Sequence, residues 1–249
     1  MLLKLIACEV FHREISHFIS KSKNIVDVEF LEKGLHDKSD ILHAKLQEKI
    51  NETSAGAIKY EAVLLAYGLC GNSSAGLKGG SVQLIIPRVH DCAGFLLGSN
   101  KRYMEYFKDN LSQPFTSSGY MERGASMFRE GESDMKVAGT QGTYEDFVKM
   151  YGEENAKFIM DSLNPKTHNS SIVFIESEIT KHLGYAEKTK EHAKKESLKY
   201  IKYRADLKLI KDLIDGNWTD TSRFLTVKPG SEIKPSYDEF VIKTSEKTF

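Results

Sequence analysis

Apolar residues fall along the chain in short runs separated by longer stretches of helical period. Leu2–Val10 is the first run and Ile25–Leu31 the second, with Val26, Val28 and Phe30 alternating with polar residues. Ala62–Leu69 and Val82–Val89 are nearly continuous runs of Val, Leu and Ile, the pattern of strands covered on both faces. Ile172–Ile175 repeats that style. Arg223–Val227 is a weaker run, stopped by Pro229-Gly230. Between the runs, Ser39 caps a helix carrying Leu42, Leu46 and Ile50. Cys92–Asn110 reads as a helix with Tyr103, Tyr106 and Phe107 on one side, and Tyr144–Leu163 as another that buries Phe147, Tyr151, Phe158 and Ile159. The longest predicted helix is Ala186–Asp215. Tyr200, Tyr203, Leu207, Ile210 and Ile214 follow a 3-4-3-4 spacing there, and Gly216 stops it. Its Lys-rich part, 188–202, reads as a solvated face.

Strands alternating with helices predict an α/β fold: a mostly parallel, Rossmann- or flavodoxin-like sheet with helices on both faces. Pro114–Gly142, rich in Gly, Ser and Thr and without a period, reads as a long irregular connection. The chain, 1–249, is read as a single domain, with a division into two subdomains near Gly142 as the alternative.

Composition narrows the classes. The 249 residues carry 35 Lys+Arg against 35 Asp+Glu, a formal net charge of zero. That argues against nucleic acid and anionic membrane surfaces as partners. No window approaches the roughly 18 uninterrupted apolar residues of a membrane-crossing helix. The apolar opening meets His12, Arg13 and Glu14 at once, which reads as a buried strand and not a signal peptide. Three cysteines are too few for a disulfide scaffold and fit a reducing cytoplasm.

Where those cysteines fall is the informative feature. Cys8, Cys70 and Cys92 each lie at the carboxyl end of an apolar run. That edge of an open α/β sheet is where ligands bind. If strand three lies between strands one and four, the three thiols converge. The bland alternative, three cysteines serving as small buried hydrophobes, holds for any one of them alone. His90-Asp91-Cys92 adds an imidazole and a thiolate from one turn, a soft ligand set suited to zinc. An open fourth position would hold a substrate thiol as thiolate, the reactive form. A cubane iron–sulfur cluster (4Fe–4S) on the three cysteines is the alternative, although close CxxC spacing is absent. Glu9, Tyr67 and Arg88 are candidates to bind a substrate carboxylate or act as acid or base. Gly68, Gly71 and Asn72 are candidates for close approach to a cofactor. The stretch GLCGNSSAG lacks the ending of a Walker motif, and neither GxGxxG nor GxSxG occurs in a strand-to-helix turn.

The stretches ACEVFHREI, YEAVLLAYGLCGN, LIIPRVHDCAGFLLGSNKRYMEYF, GYMERG and VKPGSEIKPSYD resemble the family called domain of unknown function sixteen thirty-eight, found in methanogenic archaea and anaerobic bacteria. The resemblance runs from about Leu3 to Tyr237. The pattern's cysteines fall on Cys8, Cys70 and Cys92, and its His-Asp-Cys on His90-Asp91-Cys92. Val89 stands where the pattern has a smaller residue. Genes of this family often neighbour those for corrinoid-dependent methyl transfer. The resemblance therefore implies anaerobic one-carbon metabolism, with a corrinoid protein or a methyltransferase as partner. At the level of three residues the site is also similar to zinc-dependent thiol methyltransferases. The combined expectation is a metal-dependent methyl-transfer enzyme acting on a thiol, or a non-enzymatic metal module that docks such a partner.

Overall fold

The computed structural model describes residues 1–35, 38–108, 113–123 and 171–245, with the isolated positions 148 and 153. The chain opens with β1 (Leu2–Cys8), a short 3₁₀ turn (Glu9–Phe11) and α1 (His12–Ile19), then β2 (Ile25–Leu31) and α2 (Ser39–Ala55). β3 (Ala62–Ala66), β4 (Gln83–Pro87), α3 (Cys92–Leu97) and α4 (Asn100–Phe107) follow, then β5 (Phe115–Thr116) and α5 (Ser118–Glu122). The later part holds β6 (Ser171–Glu176), α6 (Tyr185–Lys195), β7 (Lys199–Arg204), α7 (Lys208–Asp215), β8 (Phe224–Val227), β9 (Ile233–Pro235) and β10 (Ile242–Thr244).

The fold is mixed α/β around a mostly parallel five-stranded sheet of order β2-β1-β3-β4-β8. Only β8 runs antiparallel to its neighbour among these strands. β1 is buried from Leu5 to Ala7 and β3 from Ala62 to Ala66, which is why those stretches read as continuous apolar runs. The register sets Ala7 level with Ala66, and Cys8 level with Leu31 of β2. The carboxyl ends of β1, β3 and β4 therefore open on one edge of the sheet. A smaller parallel sheet of order β5-β6-β7 and the hairpin β9-β10 complete the described strands. Val173 and Ile175 of β6 belong to the same buried cluster as Leu3, Leu64 and Ile85, so the two sheets share a core. Among the described residues no helix is long and apolar enough to cross a membrane.

Two sequence expectations need correction. The single helix over Ala186–Asp215 is a helix, a strand and a second helix. α6 ends where Ser197 takes φ +56° and Leu198 donates to the Ala193 carbonyl 2.8 Å away. The next residues, Lys-Tyr-Ile-Lys-Tyr-Arg, pair with β6 from Ser171–Lys199 to Glu176–Arg204. Aromatic and β-branched residues suit a strand, and the three-residue step from Tyr200 to Tyr203 mimicked a helical stripe. Tyr203 stacks on Tyr106 with ring centroids 4.0 Å apart. Only Leu209, Ile210, Leu213 and Ile214 form a true buried helical face. Likewise Cys92–Asn110 divides at Gly98-Ser99, where the Ser99 hydroxyl accepts from the Arg102 amide at 3.2 Å and caps a new helix. Of the helix expected over 144–163, only Val148 and Glu153 are described, and both are helical. Gly142 lies outside the described residues. The start of the expected irregular connection, 113–123, holds β5 and α5.

A buried ion-pair cluster ties α7 to β8. Asp212 is 4% exposed and accepts from Arg223 Nη1 at 2.6 Å and from Lys208 Nζ. Burial works to raise the Asp212 pKa, and the hydrogen bonds from Lys208, Arg223 and Asn217 outweigh it, so the carboxyl sits below its ordinary value. A lowered carboxylate pKa stabilises the fold above the unfolded value of about 4, and that contribution is lost as pH falls through the folded value. Asp212→Asn is expected to cost about 2 kcal/mol near neutral pH, with the deficit shrinking as the wild type is acidified. Urea unfolding of both proteins at neutral and acidic pH checks this. An equal deficit at both would assign the loss to shape alone.

Candidate functional site

The three cysteines meet at the carboxyl edge of the sheet. Cys8 closes β1, Cys92 opens α3, and Cys70 sits in the turn after β3. All three are free thiols and all are buried. Cys92 lies near enough to Cys8 and Cys70 to interact with both, so Cys92 stands in the middle of the three thiols. The bond to Cys92, then burial, pushes the Cys8 thiol far up from its ordinary pKa. The bond to Cys70 and burial push Cys92 up as well, against the bond it accepts from Cys8. Cys8 and Cys92 thus stay neutral thiols.

The turn that presents Cys70 is unusual. Cys70, Gly71 and Asn72 all lie in the left-handed region, at φ +47°, +61° and +70°. Cysteine is rarely found there, and such backbone conformations cost of order 1–3 kcal/mol and gather at functional sites. Local bonds hold the turn. The Cys70 amide donates to the His90 carbonyl at 2.8 Å, and the Ser73 hydroxyl donates to the Cys70 carbonyl at 2.7 Å. Gly68 makes the approach of the two loops possible. A Cβ on Gly68 would lie 2.6 Å from the Val89 carbonyl oxygen. Gly68 thus serves contact between two parts of the protein. Gly71 faces open space and Asn72 is exposed.

The other sequence candidates separate clearly. His90 turns its ring toward Tyr103, with centroids 5.9 Å apart, while its carbonyl fixes Cys70. Asp91 caps α3 by accepting from the Gly94 amide at 3.0 Å. Burial raises its pKa, against the bonds from Gly94 and the Tyr103 hydroxyl. Arg88 Nη1 donates to the carbonyls of Phe240 and Ile242, and its guanidinium lies 5.1 Å from the centroid of the Phe240 ring. It anchors the C-terminal hairpin. Glu9 accepts from the Lys33 amide at 2.8 Å and lies 3.8 Å from Arg123. Tyr67 is 3% exposed, and its hydroxyl has no hydrogen-bond partner. Burial raises the Tyr67 pKa most, followed by the nearby Cys8, Cys92 and Cys70.

Sequence reasoning missed Tyr120. Burial, then the nearness of Cys92 and Cys8, with a hydrogen bond to Cys92 adding less, pushes its pKa well up. Tyr120 arrives on α5, where Arg13 pairs with Glu122 at 2.7 Å and Arg123 with Glu9. Lys33 Nζ stands 5.5 Å from the Tyr120 ring centroid. The signal available was GYMERG itself, whose Gly119, Tyr120, Glu122 and Arg123 all engage this edge.

As the thiols stand, no group of three or more His, Cys, Asp or Glu among the described residues is arranged to hold a metal ion. Ligation needs the thiol protons to leave and the three sulfurs to close on a common centre. Sulfurs at about 2.3 Å from a tetrahedral zinc are roughly 3.8 Å from one another.

The family described as a protein of unknown function (DUF1638) matches residues 30–214. The chain belongs to this family. Cys70 and Cys92 fall inside the matched span of DUF1638, and Cys8 precedes it. No curated protein and no solved structure matches the chain.

Proposed function

We propose that this DUF1638 protein binds one soft divalent ion, zinc by preference, on the thiolates of Cys8, Cys70 and Cys92. The observation that carries this reading is three free, buried cysteines gathered at or past the ends of β1, β3 and β4, with Cys92 near enough to both other thiols to interact with them. Thiolates are the soft ligands that select zinc, and three protein ligands leave a fourth position open, as in catalytic sites. The strand order β2-β1-β3-β4 supports a flavodoxin-like arrangement whose ligand edge is this one. Three free cysteines support a reducing, cytoplasmic setting.

Bound zinc would hold a small thiol as thiolate, ready to accept a methyl group. The methyl-transfer and corrinoid setting comes from the family resemblance. The closeness of Cys92 to both other thiols favours a single ion over a cubane cluster, whose ligands must spread around a larger body. With His90 turned to Tyr103, the first ligands are the cysteines, and His90 supports the loop. Burial of all three thiols favours the second reading, a non-enzymatic metal module that docks a corrinoid protein or methyltransferase. A closed site with no exchangeable position is what that role requires.

Anaerobic purification with metal analysis tests the proposal. The expected result is a colourless protein with about one zinc per chain. A brown protein with about four irons and four sulfides would replace zinc by a cluster on the same cysteines. Purified protein that takes up neither would overturn the metal reading.

A further inference from the structure

The C-terminal hairpin, β9 and β10, grips both loops that carry cysteines past β3 and β4. At its near end it holds the loop after β3. The Gly76 amide donates to the Ile233 carbonyl at 2.7 Å, the Ile233 amide to the Leu77 carbonyl at 2.9 Å, and the Gly79 amide to the Ser231 carbonyl at 2.9 Å. At its far end it holds the segment after β4. Arg88 Nη1 donates to the Phe240 carbonyl at 3.4 Å and to that of Ile242, with the guanidinium over the Phe240 ring. Asn100 Nδ2, at the start of α4, reaches the Glu239 carbonyl at 3.4 Å. The two gripped loops also hold each other. The Leu69 amide donates to the Val89 carbonyl at 2.9 Å, and the Cys70 amide to the His90 carbonyl at 2.8 Å. The hairpin therefore clamps the segments that present Cys70 and Cys92.

The far end of the clamp is the poorly satisfied one. Arg88 Nε and Asn100 Oδ1 are both buried at this contact without a hydrogen-bond partner, a state native proteins seldom tolerate. Turning the Asn100 amide over would not help, since its oxygen would then meet the Glu239 carbonyl. Val241, between the two carbonyls that Arg88 grips, stands at φ +65°, where a β-branched residue is an outlier. Releasing this end lets water pair both orphaned atoms and lets Val241 relax. Burial of Val241 and Ile242 keeps it closed most of the time. All three cysteines are buried, so any molecule that reaches them needs an opening. We infer that the far end of the C-terminal hairpin is the gate of the cysteine edge, with Arg88 as its latch. When Arg88 lets go of the Phe240 and Ile242 carbonyls, the segment 88–91 is free to part from the turn at 68–70, which uncovers Cys70 and Cys92. Cys8, at the end of β1 and outside the two gripped loops, gains least. Arg88 acts in this way whether or not the thiols bind a metal.

Thiol labelling tests the gate. Full-length protein, stripped of metal by a chelator and kept reduced, is reacted with iodoacetamide, and peptide mass mapping times each cysteine. The rates are followed from zero to mild urea. A local opening exposes little surface and responds weakly to urea, whereas global unfolding responds steeply. Wild type is expected to label Cys70 and Cys92 slowly and with a weak response. Arg88→Ala should label both about tenfold or more faster, still with a weak response, because a charged donor to two carbonyls is gone. Arg88→Lys keeps the charge without the fork and should fall between the two, and it decides the matter if Arg88→Ala does not fold. Phe174→Leu, a packing change in the small sheet, is the control and should leave the rates without urea as they are in wild type. Wild-type rates at Cys70 and Cys92 in the Arg88 variants overturn the inference. So does an acceleration that climbs steeply with urea or that Phe174→Leu shares, since either marks a general loss of stability. Acceleration at Cys8 alone would place the opening elsewhere and overturn it too.

Discussion

Cys92→Ala is expected to leave a folded protein that retains less than about a tenth of the wild-type metal. Cys92 is the middle of the three thiols, near enough to both others to interact with them, so its loss removes one ligand and separates the other two. Two thiolates alone do not make the three-ligand site that zinc enzymes keep. The fold has other supports. The core of the five-stranded sheet is built from Leu3, Leu5, Leu64, Ile85 and their neighbours, with the thiols at its edge. Removing one sulfur costs about 1 kcal/mol of packing. Stranding the Tyr120 hydroxyl, which donates to Cys92, adds about 1–3 kcal/mol. Cys92→Ser offers Tyr120 an oxygen acceptor while remaining a poor zinc ligand, so it should be the more stable of the two and equally empty of metal. Metal content and chemical unfolding of both variants check this. Full metal occupancy in either variant would place the ion elsewhere in the protein. Loss of fold in both would identify a site on which folding depends.

The central strands β3 and β4 were legible because they are almost wholly buried and carry no polar residue after Gln83. Ala62–Ala66 is the clearest case, with every residue buried. That the chain returns Cys8, Cys70 and Cys92 to the same edge of the sheet was legible for a related reason, since each ends or follows one of three neighbouring parallel strands. Elements that lie half in solvent were harder to read. β7 alternates exposed Lys199, Lys202 and Arg204 with partly buried Tyr200, Ile201 and Tyr203, and that pattern fits a helix as well as a strand until β6 is placed beside it. Tyr120 was hidden for another reason. It reaches Cys92 through tertiary contact alone, from a five-residue helix with no period of its own. Arg88 looked like site chemistry because it lies two residues before His90, but β4 ends at Pro87, and Arg88 is taken up by the Phe240 and Ile242 carbonyls of a hairpin that is far away in sequence.

Gly119→Ala is expected to damage stability and site together. α5 seats so closely on the turn after β1 that a Cβ at 119 would lie 1.7 Å from the Val10 carbonyl oxygen and 2.7 Å from its carbon. Both are backbone atoms, so no side chain can swing aside. Either α5 lifts away or the turn at Val10, two residues from Cys8, is pushed back. Lifting α5 breaks the Tyr120–Cys92 bond, the Arg13–Glu122 pair and the Arg123–Glu9 contact at once. Overpacking of this kind costs about 3 kcal/mol, which in a chain of this size lowers the melting temperature by roughly 6–12 °C. A displaced Cys8 would also weaken metal binding, by more than the loss of the Tyr120 bond alone. Tyr120→Phe separates the two effects, since it removes that bond and keeps the helix seated. The order expected for both melting temperature and metal affinity is wild type, then Tyr120→Phe, then Gly119→Ala. Differential scanning calorimetry with zinc competition on the three proteins measures it. A Gly119→Ala protein that melts and binds metal like wild type would mean that α5 does not hold the site edge.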